Sequence, residues 1–214
     1  METSNNRIVW LSSRFYSKEM RSMSESFEVE VKVSIDDTGV IMRKLVDSGA
    51  KVLNSEVQID IYFDHPSRTF METDEAVRVR TRSPLNKQDL DTSFVQNELT
   101  YKGPKLDKET KTRVEYTVGI DDTDQLTLIL ESLGFTTIAK VTKRRTFFDL
   151  RGITISIDDV EGVGLFLELE SIVHQKDEME SAKRIIFELL EELGIDKTQS
   201  IRDSYLEMYL AGKG

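Results

Sequence analysis

The sequence predicts an α+β fold: about eight antiparallel strands curl into a β-barrel tunnel with a charged interior, and amphipathic helices pack outside. Three observations predict it. The chain repeats itself, its strands alternate apolar residues with charged ones, and each half carries a helix bounded by recognisable caps.

A shift of 85 positions lays Glu28–Asp64 on Arg113–Asp149 without a gap, with 11 of 37 positions identical, including a run of Ile-Asp-Asp-Thr. Two copies of this length predict a duplicated half-domain rather than a solenoid. Each copy reads as strand, helix, then strands.

Residues 1–26 hold the only tryptophan and show no sustained period, so they read as a loose N-terminal extension, with Met20 and Met23 as alternative starts to Met1. Residues 27–214 read as a single domain. Its first strand, FEVEVKV, sets Glu28, Glu30 and Lys32 on one side. The first helix starts at Asp37 or Thr38, either of which offers a capping side-chain oxygen, and spaces Ile41, Leu45 and Val46 on one face. Gly49 follows where a left-handed C-terminal cap is wanted.

AVRVRTR then alternates Val77 and Val79 with Arg78, Arg80 and Arg82, and ELTYK alternates Leu99 and Tyr101 with Glu98, Thr100 and Lys102. A polar loop, Ser83–Asn97, separates the two. KTRVEYTV opposes Val114, Tyr116 and Val118 to Lys111, Arg113 and Glu115. The second helix is capped by Asp122 or Thr123, carries Leu126, Ile129, Leu130 and Leu133, and ends at Gly134. VTKRRTFF lacks clean alternation, so the face shared among Lys143, Arg144 and Arg145 stays open at this point. ITISID and LFLELE set isoleucines and leucines against Thr154, Ser156, Asp158, Phe166, Glu168 and Glu170. SAKRIIFELLEELGI and SYLEMYLA supply a third and a fourth helix.

Alternation by itself also fits an open sheet whose polar side faces water. The kind of polar residue favours the tunnel, because the polar positions are dominated by Arg, Lys and Glu. Enclosed charges of this kind persist only if wet, mutually paired or filled by a ligand. The ligand that matches both signs is a polyanion with divalent cations, phosphate oxygens going to Arg and Lys and the cation to carboxylates.

Composition narrows the partners. With 39 acidic and 29 basic residues the net charge is −10, which argues against a broad grip on nucleic acid or an anionic membrane. No cysteine is present, so disulfides and thiolate metal sites are excluded and a reducing interior is compatible. No apolar run approaches the roughly eighteen residues of a membrane helix. The chain reads as cytoplasmic, and its two histidines, one of them His65 in an Asp-His-Pro turn, make no metal cluster.

The Glu-x-Glu-x-Lys strand of Glu28, Glu30 and Lys32 is followed, in order, by IDIYFDHPSRTFMETDEAVRVR, LTYKGP, KTRVEY, KRRTFF, ISIDDVEGVGLFLELE and IRDSYLEMYL. In these motifs the chain resembles the CYTH superfamily of triphosphate tunnel metalloenzymes, most of all its class IV adenylyl cyclase (CyaB-like) subgroup, with thiamine triphosphatases and inorganic triphosphatases as relatives. The resemblance implies a Mg2+ or Mn2+ site at Glu28, Glu30, Asp158, Glu168 and Glu170. It implies phosphate contacts from Lys32, Arg78, Arg80, Lys102, Arg113, Lys143 and Arg145, with Glu28, Glu30, Lys32 and Lys102 at the heart of catalysis. Glu115 would orient neighbouring bases, and the helix with Tyr205 and Glu207 would be a closing element in which Tyr205 packs. The implied reaction is conversion of ATP to cyclic AMP and pyrophosphate, or hydrolysis of thiamine triphosphate or inorganic triphosphate. A non-catalytic nucleotide or polyphosphate binder is a further alternative, and under each reading the chain is either a monomer or a homodimer.

Overall fold

Strands with one apolar and one charged face need cover on the first and company on the second, and both are met by closing the sheet. In the computed structural model, which describes residues 27–85, 96–106 and 112–213, eight strands form a closed barrel. They are β1 (Phe27–Ser34), β2 (Lys51–Asp64), β3 (Ala76–Pro84), β4 (Gln96–Lys105), β5 (Arg113–Ile120), β6 (Thr136–Leu150), β7 (Ile153–Val160) and β8 (Gly164–Val173). Their order around the barrel is β1-β5-β4-β3-β2-β6-β7-β8, antiparallel throughout. The expected extension, 1–26, and residues 86–95 of the expected loop lie outside the described residues.

Four helices, α1 (Thr38–Asp47), α2 (Thr123–Ser132), α3 (Met179–Glu192) and α4 (Tyr205–Ala211), pack on the outside and across one end. Asp37 caps α1 by accepting from the backbone N–H of Gly39 and Val40, and Asp122 caps α2 through Asp124 and Gln125. Gly49 and Gly134 take φ of 86° and 93°, a conformation that costs other residues energy. The main core lies between α3 and the outward residues of β1, β7 and β8: Val29, Val31, Ile155, Leu167 and Leu169 meet Ile186, Leu189 and Leu190.

The cover is uneven. α2 rests against β3 and β6 through Leu130 and Leu126, while Ile129 and Leu133 of the expected stripe stay exposed. On β5, Tyr116 and Val118 are 51% and 56% exposed, with Tyr116 stacked on Tyr101 of β4. The stripe is longer than the surface that α2 reaches.

The repeat is visible as symmetry. Gln58 and Lys143, equivalent positions 85 residues apart, are register partners in the β2–β6 pair, and so are Glu28 and Arg113 in the β1–β5 pair. A pseudo-twofold axis therefore crosses the barrel between these two pairs. Among the described residues, the β1–β5 seam holds the register pairs Phe27–Val114 and Glu28–Arg113, whereas β1 and β8 run together from Phe27 to Ser34. Part of the remaining edge of β1 is taken by the C-terminal segment, where the Ile201 N–H donates to the Lys32 carbonyl at 2.7 Å.

Candidate active site

The inward residues of all eight strands enclose a cavity of about 560 Å³, joined at one end by the turn Phe70–Ala76 and by the start of α4. One side of it is acidic. Glu30 and Glu170 are register partners on β1 and β8, and Glu28 lies one inward position further along β1. Burial, then the neighbouring charges of Glu28 and Glu30, push Glu170 up to about 8. Glu28 is raised as well, chiefly by burial, although Lys102 works against this. The Lys102 Nζ bridges Glu28 and Glu115 at 2.9 and 2.8 Å. Burial opposes the charge on Glu115 too, but Lys102 and a hydrogen bond from Glu28 outweigh it and bring Glu115 down to about 2. The pair thus divides its protons unequally.

The opposite side is basic. Arg78, Arg80 and Arg82 project from β3, as the alternation predicts. Arg80 grips Asp60 of β2 with two parallel bonds, Nε to Oδ1 at 2.6 Å and a terminal nitrogen to Oδ2 at 2.7 Å. Arg78 stands 3.8 Å from Asp60 and 3.5 Å from Glu98, and Arg82 reaches Glu98 at 2.9 Å. Burial would raise the Asp60 carboxyl, but Arg80 and Arg78 hold it well below the usual carboxylate range. Among the described residues, the Arg78 Nε is buried without a hydrogen-bond partner.

A third group occupies the end beneath α4. Lys143 and Arg145 point inward and Arg144 outward, their side chains 3%, 7% and 69% exposed. Arg145 donates to both oxygens of Asp158 and also to Glu168. Tyr205 covers Lys32 and Lys143, its ring centroid 4.2 and 4.9 Å from their Nζ atoms. Burial, then the Arg145 charge, push Lys143 down to about 7 despite Asp158 at 3.5 Å.

The expected residues therefore divide. Glu28, Glu30, Glu168, Glu170, Arg78, Arg80, Lys102, Arg113, Lys143 and Arg145 all line the one cavity. Lys32 and Asp158 are instead fully buried beyond its wall: Lys32 donates to the Asp203 carbonyl, and both Asp158 oxygens are engaged by Arg145. Buried charges close on the nearest counter-charge or carbonyl, because water is not there to hold them. Asp60, Glu56 and Gln58 escaped the sequence reading, although the alternation of Glu56, Gln58, Asp60 and Tyr62 with Val57, Ile59, Ile61 and Phe63 carried the signal.

Among the described residues, no three His, Asp or Glu side chains converge closely enough to hold an ion by themselves. This donor set nonetheless suits Mg2+ or Mn2+. Magnesium is commonly held by one or two carboxylates with substrate phosphates completing its shell. Glu28, Glu30 and Glu170 crowd one another enough to disfavour ionisation of Glu170, and a divalent cation relieves that crowding.

The CYTH domain family matches residues 26–205. A protein named "Putative adenylate cyclase MJ0240" from Methanocaldococcus jannaschii is 42% identical over 85% of this chain and 97% of its own length. "Adenylate cyclase CyaB" from Aeromonas hydrophila is 27% identical over 84% of this chain and 86% of its own. The solved structure of the PH1819 protein from Pyrococcus horikoshii superposes with a TM-score of 0.77, at 38% identity over 86% of this chain and 98% of that one. A Hippeastrum protein, described as a "putative adenylyl cyclase" with a dominant triphosphatase activity, shares the fold with a TM-score of 0.59 at 17% identity, over 87% of this chain and 96% of that one.

Proposed function

The chain belongs to the CYTH domain family, and from that premise we propose that it is a metal-dependent enzyme acting on an organic triphosphate, an adenylyl cyclase that converts ATP to cyclic AMP and pyrophosphate. The observation that carries the reading is one cavity with an acidic wall, Glu28, Glu30 and Glu170, facing a basic one, Arg78, Arg80 and Arg82. A triphosphate with a divalent cation neutralises both walls at once.

Mg2+ or Mn2+ held by Glu28, Glu30, Glu168 and Glu170 would polarise phosphoryl oxygens and lower the pKa of a coordinated hydroxyl. Asp158 stays with Arg145 in this arrangement. Arg78, Arg80, Lys102 and Arg113 hold the phosphate chain, the Arg78 Nε supplying a donor that has no other partner among the described residues. Lys143 and Arg145 add charge at the end beneath α4. A carboxylate oxygen of Glu28 or Glu30 takes the proton of the ribose 3′-hydroxyl. The freed oxygen attacks the α-phosphorus, the bond to the β-phosphate oxygen breaks, and pyrophosphate leaves with its charge met by the Arg and Lys side chains. Phosphoryl transfer asks for little beyond such positioning and charge stabilisation.

The same walls would serve a hydrolase in which water attacks the terminal phosphorus, and the activity described for the Hippeastrum fold relative favours keeping that reading beside the first. The experiment that separates them offers ATP, thiamine triphosphate and tripolyphosphate with Mg2+ and with Mn2+ and identifies the products. Cyclic AMP with pyrophosphate supports the cyclase, and orthophosphate with the diphosphate supports the hydrolase. Binding of all three without turnover removes both.

A further inference from the structure

Asp60 is an acid directly behind the wall that should hold phosphate. It is 1% exposed, sits in the middle of β2, and takes both oxygens to Arg80 while standing 3.8 Å from Arg78. An anion among phosphate-binding cations weakens their net attraction for the substrate, so its presence calls for a reason.

The pseudo-twofold axis supplies one. A shift of 85 positions carries Asp60 of β2 onto Arg145 of β6. The register partner of Asp60 is Arg80 on β3, and the register partner of Arg145 is Asp158 on β7. The two halves therefore hold the same forked ion pair with its charges exchanged. In each, the arginine Nε lies 2.6 Å from Oδ1 and a terminal nitrogen bonds Oδ2. The cavity meets two arginines, Arg80 and Arg145, one from each side of the axis, each fixed by a planar fork to a buried aspartate behind it. A guanidinium has five donors, of which the fork uses two, so three remain at Arg80 and two at Arg145, which also donates to Glu168.

We propose that Asp60 is a positioning residue: it fixes the Arg80 guanidinium, and through proximity Arg78, in the orientation that receives the phosphate chain. This rests on the triphosphate reading of the same cavity. An arginine held this way loses little side-chain entropy when the ligand arrives, which is how preorganisation improves affinity without any contact from Asp60 itself. Asp60 touches no substrate, and its effect runs through Arg80.

The test is a double-mutant cycle on Asp60 and Arg80 with the full chain. Asp60→Asn keeps the shape and removes the charge, Arg80→Lys keeps the charge and removes the fork, and the double variant combines them. Steady-state kinetics on whichever triphosphate the wild type turns over, and calorimetric binding of tripolyphosphate, are read beside thermal melts. Each single variant is expected to lose about tenfold or more in kcat/KM, mostly through KM, while remaining folded at the assay temperature, and the double variant is expected to be no worse than either. Asp60→Glu, which keeps the charge on a longer stem, is expected to recover part of the loss. Wild-type kcat/KM in Asp60→Asn, or losses that multiply in the double variant, would overturn the proposal. If Asp60→Asn does not fold, the cycle is run with Asp60→Glu, for which additive losses count against it equally. A wild type that neither binds nor turns over triphosphates would sink the functional reading itself, which separates that failure from this one.

Discussion

Glu28 and Arg113 are the same position of the two repeats, and they face each other across the β1–β5 seam with opposite charge. The divergence continues along the neighbouring strands. Glu30 with Glu170 in one half corresponds to Glu115 with Lys102 in the other, so two acids meet where the second copy has an acid and a base. The two half-barrels thus differ by exchange of charge at fixed positions, and the closed barrel carries an acidic wall and a basic one.

The crowding of Glu170 predicts a pH effect in the metal-free protein. Its folded-state pKa of about 8 lies above the ordinary 4.5, so the folded chain holds the proton more tightly than the unfolded chain. Stability should fall as pH rises through that window. Thermal melts in EDTA should show a Tm loss of about 5 °C or more between pH 5 and pH 8.5. Glu170→Gln should flatten the profile, and Mg2+ should reverse it for the wild type only. A wild-type profile as flat as that of the variant would contradict the clustered acids.

Removing a carboxylate from that wall should stop turnover while leaving the fold intact. For Glu28→Ala or Glu170→Ala, metal-dependent activity should drop on the order of a hundredfold or more, with far-ultraviolet circular dichroism unchanged. Glu28 faces a cavity rather than the core between α3 and the sheet, so its loss leaves the packed residues untouched. Activity retained in either variant would remove that residue from the site.

Lys102 plays a different part, because it bridges Glu28 and Glu115 and faces the cavity. Lys102→Ala should weaken tripolyphosphate binding by tenfold or more, about 1.4 kcal/mol per factor of ten. The two acids it leaves behind should repel one another and lower Tm as well. Calorimetry beside a melt checks both, and unchanged affinity would place Lys102 outside the phosphate path.

A proton should be taken up when an anion binds. Burial and Arg145 push Lys143 down to about 7 from an ordinary 10.5, so the folded state holds that proton less tightly than the unfolded one. Its contribution therefore makes stability rise with pH between those values. A phosphate beside Lys143 restores the charge, and binding of tripolyphosphate at pH 8 should draw in up to about one proton. Titrations in buffers of different ionisation enthalpy measure this. Lys143→Arg, charged throughout, should abolish the uptake, and equal uptake in both proteins would exclude Lys143 as its source.

Sequence periodicity was enough to place the strands, because side chains alternate across a pleated strand and reveal a charged face wherever it exists. The caps at Asp37 and Asp122 and the inward Arg78, Arg80, Glu168 and Glu170 were legible because each depends on neighbours within a few residues, and the repeat because its two copies align without a gap. Two inward rows went unread from alternation: β2, whose polar positions mix Glu56, Gln58, Asp60 and Tyr62 and carry no single sign, and β6, where Lys143, Arg144 and Arg145 are consecutive.

What only the tertiary structure decided is which charges meet. Closure of the barrel, with β1 and β5 joined by a short seam, brings Lys102 to Glu28, 74 residues away, and Lys32 to the carbonyl of Asp203, 171 residues away. It also turns Asp158 to Arg145 and sets Asp60 behind Arg80. These pairings follow from low-dielectric burial, where each charge takes the nearest partner that the strand registers provide. The sequence by itself determined the inventory of charges and, on the strands that alternate cleanly, the face on which each lies. The registers and the closure determined their partners, because no local pattern specifies which strand will lie beside which.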